Sequence, residues 1–248
     1  MNDNRHRSKP PASLAPRDLA ALIDISAVQA FHTEADVREL AEIAVAEGFI
    51  AAHALPNFVP LLRSLVPPGG PTLVGGPVGF PSGGHTTRMK IAEASELAEG
   101  GAQELDMMIN VGRLKSGDIG YVRSEIRAVV EAIAPVPLKV ILELAHLTDE
   151  EIRTASAIVA ESGAAFVKTG TGWTPSATTL ERLKLIAVTV EGAVEIKAAG
   201  GIRSLDAIAE MLRLGVTRFG INTQVAVDLV RQCAALPGSR LDIAGKAD

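Results

Sequence analysis

Eight short β-rich runs, near residues 22–26, 50–55, 72–79, 103–110, 137–143, 164–169, 194–198 and 217–221, alternate with amphipathic helical stretches along the chain. Parallel strands cannot be joined by a tight turn, so each needs a crossover, and a helix is the usual one. The helix starts carry capping signals. Thr33 and Asp36 have capping-box spacing ahead of Leu40, Ile43 and Ala44, although aspartate reaches less far back than the usual glutamate. Thr148 and Glu151 form the standard pair ahead of Ile152, and Ser204 reads as the cap of the helix carrying Ala207, Ile208 and Met211. His85 reads as the opening of another helix, after Ser82-Gly83-Gly84. Glycines at Gly48, Gly100-Gly101, Gly163 and Gly215 mark helix ends, while Gly75-Gly76-Pro77 and Gly83-Gly84 read as turns at strand ends. Eight β/α units predict an α/β fold closed into a (β/α)8 TIM barrel. No Gly-x-Gly-x-x-Gly follows the first strand, which weakens the dinucleotide-binding alternative. The expected organisation is an N-terminal tail over residues 1–16, a single barrel domain over 17–235 and a C-terminal tail over 236–248.

Composition narrows the partners. With 24 basic against 29 acidic residues the net charge is -5, which argues against general nucleic-acid binding. Aromatics at 3% leave few platforms for stacking bases. Cys233 is the only cysteine, so neither an internal disulfide nor a thiolate metal cluster can form. The start is polar without an apolar signal core, and no apolar run reaches membrane-spanning length. A cytoplasmic enzyme acting on a small molecule, with no nucleic acid and no membrane, is the expectation.

In such barrels the chemistry gathers at the C-terminal ends of the strands. The polar residues closing the apolar runs are Asp24, His53, Asp106, Asn110, Lys139, Glu143, Lys168, Thr169 and Lys197. Lys139 lies near the start of its run and can face either the base or the mouth. Lys168, in Phe166-Val167-Lys168-Thr169-Gly170, and Lys197, in Ile196-Lys197-Ala198-Ala199-Gly200-Gly201, are the two that matter most. A lysine on a buried strand loses water and gains little in return. A desolvated lysine beside a second cation becomes a neutral amine, which is the nucleophile of Schiff-base chemistry. The plain alternatives are a lysine snorkelling to the rim at 168, and an aspartate at 106 that only pairs with Lys139. His53 reads as a core or rim histidine.

The chain resembles the deoxyribose-phosphate aldolase family, class I aldolases on a TIM barrel. The resemblance rests on Ile23-Asp24, Val78-Gly79-Phe80-Pro81 with Thr86-Thr87, Glu104-Leu105-Asp106-Met107-Met108-Ile109-Asn110-Val111-Gly112, and Lys115-Ser116-Gly117. It continues through Leu138-Lys139-Val140-Ile141-Leu142-Glu143, Leu147-Thr148-Asp149-Glu150-Glu151-Ile152, Phe166-Val167-Lys168-Thr169 and Lys197-Ala198-Ala199-Gly200-Gly201-Ile202-Arg203. It implies that Lys168 is the Schiff-base lysine, Lys197 the second lysine and Asp106 the proton-relay carboxylate. The reaction implied is reversible cleavage of 2-deoxy-D-ribose 5-phosphate to acetaldehyde and D-glyceraldehyde 3-phosphate, in carbohydrate and deoxyribonucleotide catabolism. Substrate-binding positions would be Asp24, Ser26, Thr171, Gly172, Gly200, Gly201, Arg203, Asn222 and Thr223. No metal or other cofactor is expected, because a covalent lysine imine does the polarising. A homodimer is implied by the same resemblance.

Several mouth residues depart from the family pattern. His53 stands at a common cysteine, Gly170 and Ala199 at common serines, and Leu144 at a common threonine. Trp173 replaces phenylalanine or lysine, and Gly220-Ile221-Asn222-Thr223 replaces a Gly-Thr-Ser-Ser type of ending. These departures suggest a divergent member. Two alternatives are a related Schiff-base lyase with altered donor or acceptor, and a catalytically inactive barrel that serves as a binding protein.

Overall fold

The computed structural model describes residues 11–244. Its centre is a closed barrel of eight parallel strands, each hydrogen-bonded to its neighbours in chain order. They are β1 (Ile23–Ala27), β2 (Ala51–Ala54), β3 (Leu73–Val78), β4 (Glu104–Met108), β5 (Leu138–Ile141), β6 (Phe166–Lys168), β7 (Glu195–Ala199) and β8 (Arg218–Gly220). β8 pairs back onto β1, with Ile23 opposite Phe219 and Asp24 opposite Gly220. The expected (β/α)8 barrel is the observed fold.

The capping signals are realised. Thr33 accepts the Asp36 N–H, and Asp36 Oδ2 accepts the Thr33 N–H at 2.6 Å, so the shorter aspartate does close the box. Thr148 and Glu151 make the same reciprocal pair, and Ser204 caps the helix Leu205–Arg213. His85 does not open a helix. Thr86 is the cap of Thr87–Glu99 because its side chain can accept the Met89 N–H, and His85 is left exposed before it. Gly75-Gly76-Pro77 is also not a turn; all three lie inside β3. Their small size serves packing: a Cβ on Gly75 would sit 2.3 Å from His53 Cε1, so glycine is what lets that ring cross the barrel.

The tail boundaries differ from expectation as well. Leu14 and Leu241 pair as a two-stranded antiparallel ribbon, and both are buried together with Ile243. Apolar side chains on both terminal segments bury surface by docking there, which a polarity reading of each segment alone does not reveal. The expected tail residues 1–10 and 245–248 lie outside the described residues. Among the described residues no helix is long and apolar enough to cross a membrane.

One buried ion pair ties helices to a strand end. Lys90 and Glu125, both fully buried, meet at 2.7 Å between the helices Thr87–Glu99 and Ile119–Ile133, and Lys90 Nζ also donates to the Met108 carbonyl at 2.8 Å. Burial pulls the Lys90 ammonium below its ordinary range, opposed by Glu125. Lys90→Met strands the Glu125 carboxylate in the core and is expected to lower stability by about 3–5 kcal/mol. Denaturant titration of the two proteins checks this, and a loss below about 1 kcal/mol contradicts it.

Candidate active site

TIM-barrel interiors are usually filled by layers of branched apolar side chains. This interior is instead a packed cluster of ions. Alternation along a strand puts residues i and i+2 on one face, so β4 sends both Glu104 and Asp106 inward. Asp24 comes from β1, Lys139 from β5, Lys168 from the last position of β6, Lys197 from β7 and Arg218 from β8. The register aligns them: Asp106 lies opposite Lys139, Lys168 opposite Lys197, and Lys197 opposite Arg218.

Asp106 is the hub. Its Oδ2 accepts from Lys168 Nζ at 2.6 Å and from Lys197 Nζ at 2.8 Å, and its Oδ1 accepts from Lys139 Nζ at 3.2 Å. Below it lies a second set of ions. Lys197 Nζ also contacts Asp24, whose other oxygen holds Arg218 Nη1 at 2.6 Å. Arg218 Nη2 reaches Glu104 at 3.0 Å, while Lys139 Nζ stands 2.5 Å and His53 Nε2 2.8 Å from the other Glu104 oxygen. The Phe166 ring takes the ammonium of Lys139 and the guanidinium of Arg218 at 5.8 Å each, which shields both cations from water.

Burial and charge set the protonation states. Desolvation is the largest influence on Lys168 and lowers it; Asp106 opposes, Lys197 adds to the lowering, and the amine ends at about 8. Burial is therefore the main cause and the cationic neighbour adds to it, the two influences to which the sequence pointed. Lys197 moves the other way. Burial lowers it, but Asp106, Asp24 and Glu104 outweigh that and hold it firmly as an ammonium. Burial would raise Asp106, yet Lys139, Lys168 and Lys197 together pull it well below the usual carboxylate range. Glu104, against the same burial, is drawn down to about 2 chiefly by Lys139. The arrangement offers one amine close to neutrality beside an ionised carboxylate and a fixed cation.

These groups open onto a cavity of about 460 Å³ at the barrel mouth. Of the residues singled out from sequence, Asp24, Ser26, Asp106, Lys168, Thr171, Gly172, Lys197, Gly200, Gly201, Arg203 and Asn222 all line it. Thr223 does not; it starts the helix Thr223–Ala235. Thr171 lines the cavity, but its hydroxyl is taken by Glu143 and by the Trp173 N–H at 3.0 Å, so it braces the loop rather than offering a free donor. Asn222 spends its Oδ1 on the Gln224 N–H at 3.1 Å. Trp173 packs edge-on to Phe80 with ring centroids 5.6 Å apart and donates Nε1–H to the Val28 carbonyl, bridging two loops across the opening. Lys139 points into the barrel between Glu104 and Asp106 and does not line the mouth cavity, so of the base-or-mouth alternatives the mouth is not the one taken.

Sequence reasoning missed Glu104 and Arg218. The signal for Glu104 was its two-residue spacing from Asp106, and for Arg218 its place at the start of the last β-run. Asp24, His53 and Glu104 bring three ligand-type atoms within 4.8 Å of one another. Lys139, Lys197 and Arg218 already occupy those carboxylate oxygens, so a divalent ion would have to displace an internal cation.

The chain is similar to known proteins along nearly its whole length. A family described as DeoC/LacD family aldolase matches residues 18–222. The deoxyribose-phosphate aldolase of Rhizobium meliloti (strain 1021) is 90% identical over 247 residues, covering 100% of both chains. That of Klebsiella pneumoniae subsp. pneumoniae is 44% identical over 98% of this chain and 95% of its own. The solved deoxyribose phosphate aldolase from Aeropyrum pernix, described as a unique tetrameric structure, superposes with a TM-score of 0.78 at 27% identity, covering 90% of this chain and 94% of its own. With so near a relative under the plain family name, the substitutions at the mouth do not mark a divergent member.

Proposed function

The chain belongs to the DeoC/LacD aldolase family, and from that premise we propose that it is a carbon–carbon lyase that cleaves 2-deoxy-D-ribose 5-phosphate reversibly to acetaldehyde and D-glyceraldehyde 3-phosphate. The observation that carries the proposal is the Lys168 amine, held near pH 8 with its Nζ 2.6 Å from an ionised Asp106.

In the cleavage direction, the free amine of Lys168 adds to the C1 aldehyde of the open-chain sugar, giving a carbinolamine. Loss of water gives an iminium, which is an electron sink. The C3 hydroxyl gives up its proton while the C2–C3 bond breaks. Its electron pair moves into the iminium to form an enamine, and the phosphorylated aldehyde leaves. Protonation of the enamine carbon and hydrolysis return acetaldehyde and the free lysine. Asp106, directly or through one water, carries the protons, a contribution of about 10²–10⁴-fold for groups of this kind. Lys197, kept cationic by Asp24 and Asp106, favours the neutral form of Lys168 and the negative charge that develops on substrate oxygens. No metal or separate cofactor enters these steps.

The phosphate belongs at the rim formed by Gly172, Gly200, Gly201 and Arg203, where left-handed glycines let backbone N–H groups approach an anion and Arg203 supplies charge. Ser26 and Asn222 line the same cavity as the rim and the amine. A cytoplasmic role in deoxyribonucleotide catabolism and a homodimeric state complete the reading. Comparing kcat/KM for 2-deoxyribose 5-phosphate and for unphosphorylated 2-deoxyribose tests it. The phosphorylated sugar is expected to be preferred by about 10²-fold or more, the scale of a charge-assisted anion contact set. Equal turnover of both would instead favour the alternative of a Schiff-base lyase with a different acceptor.

A further inference from the structure

The ions inside the barrel do not cancel when all are charged. Asp24, Glu104 and Asp106 are three carboxylates; Lys139, Lys168, Lys197 and Arg218 are four cations. They are linked into one continuous network, and every member has a side-chain exposure of 11% or less. Charge buried in a poorly polarisable interior is tolerated when it is balanced. The network balances when one cation becomes neutral. Only Lys168 can do so cheaply, because it has one carboxylate oxygen as partner. Lys139 has Glu104, Asp106 and, at 3.9 Å, Asp24; Lys197 has Asp24 and Asp106. Arg218 cannot deprotonate at all.

We propose that Arg218 is a positioning residue that sets the charge count of the barrel interior so that Lys168 is the member that releases its proton. The proposal rests on the reading of Lys168 as the imine-forming amine. Arg218 does not line the cavity and has no route to the substrate. It acts through Asp24 and Glu104, which it clamps at 2.6 and 3.0 Å, and through them on Lys197, Lys139 and Asp106. The groups facing Lys168 are Asp106 from β4, Lys197 from β7 and Asp24 from β1. Lys139, Glu104 and Arg218 form the layer beneath, and His53 joins that layer through Glu104 while reaching the cavity wall. A guanidinium in that layer stays charged whatever the pH and grips both carboxylates at once, leaving the variable proton on position 168.

The sign of the effect can be worked out in both directions. Taking away one fixed cation leaves three carboxylates facing three lysines, so Lys168 is drawn to keep its proton and its midpoint rises. Taking away one carboxylate deepens the excess of cations, so the midpoint falls.

The test measures the rate at which the full chain captures acetaldehyde at Lys168 across pH. Samples are quenched with borohydride at one fixed pH, and the adduct is located by peptide mass. Arg218→Met is expected to move the midpoint upward by about one pH unit, about a tenfold loss of free amine at neutral pH. Arg218→Lys, which keeps a cation without the two-pronged clamp, is expected to return most of that shift. Glu104→Gln changes volume little and is expected to move the midpoint downward, giving a signed result even where Arg218→Met folds poorly. A midpoint that stays put in Glu104→Gln, or that moves the same way in Glu104→Gln and Arg218→Met, overturns the proposal. If the parent chain itself forms no adduct at Lys168, the functional reading fails rather than the charge balance.

Discussion

Lys168→Met is expected to remove catalysis and strengthen the fold at the same time. The nucleophile is the one group for which no neighbour can substitute, since Lys139 and Lys197 are each engaged by two or more carboxylates. Loss of a nucleophile from a cooperating set lowers kcat on the order of 10⁵–10⁶-fold. The stability effect follows from the same protonation state. The Lys168 amine is lowered from 10.5 to about 8 in the folded protein. Below about pH 8 both folded and unfolded chains carry the proton, and the folded one bears the full penalty of an ammonium it holds poorly. Between about pH 8 and 10.5 the unfolded chain binds the proton and the folded one does not, so stability rises with pH through that window. Above it the group contributes nothing. A methionine of similar length never bears the penalty, so at pH 7 the variant is expected to be more stable by about 1–3 kcal/mol, with the gain vanishing above pH 10.5. Paired denaturant titrations at pH 7 and above pH 10 check the second half, and a turnover assay the first. A variant that is inactive and also less stable at pH 7 would mean that the 2.6 Å contact with Asp106 outweighs burial, and that the ammonium at 168 is not in excess inside the barrel.

What the chain revealed in advance, and what it withheld, divides along a physical line. Helix boundaries were legible because capping is local: Thr33 with Asp36, and Thr148 with Glu151, sit three residues apart and need no tertiary partner. The barrel was legible because its period repeats. Lys168, Lys197 and Asp106 were legible because ions at the ends of apolar runs are costly wherever they fall. Gly75 was misread because its reason lies on another strand. The glycine makes room for His53, and only the β2–β3 register, which places those two opposite each other, discloses it. Arg218 was missed for a similar reason. A single arginine opening a short β-run reads as a solvent-facing residue, and it becomes part of the interior only once β8 closes against β1 and brings it to Asp24. Thr171 and Thr223 were placed among the substrate-binding positions by resemblance. Their hydroxyls depend on loop and helix geometry that a linear motif does not carry.

Asp106→Asn separates capture of the substrate from breaking its carbon–carbon bond. The asparagine keeps the shape of the hub but removes the charge that Lys139, Lys168 and Lys197 share. Four cations then face only Asp24 and Glu104, and uncompensated charge of this kind lowers stability by about 3–5 kcal/mol. Asp106 is also the main influence that holds the Lys168 proton on, so its loss moves the amine to a still lower midpoint and leaves more of it free at neutral pH. Adduct formation with acetaldehyde should therefore persist, and should extend to lower pH than in the parent. Turnover should nonetheless fall by about 10²–10⁴-fold, because an amide can neither take the C3 hydroxyl proton nor return one to the enamine carbon. Exchange of the acetaldehyde methyl protons with deuterated water isolates that step: it requires the enamine, but no second aldehyde. The variant should trap acetaldehyde normally under borohydride and exchange its methyl protons slowly. Fast exchange with slow cleavage would assign the relay to another group and leave Asp106 as the electrostatic centre of the lysine cluster alone.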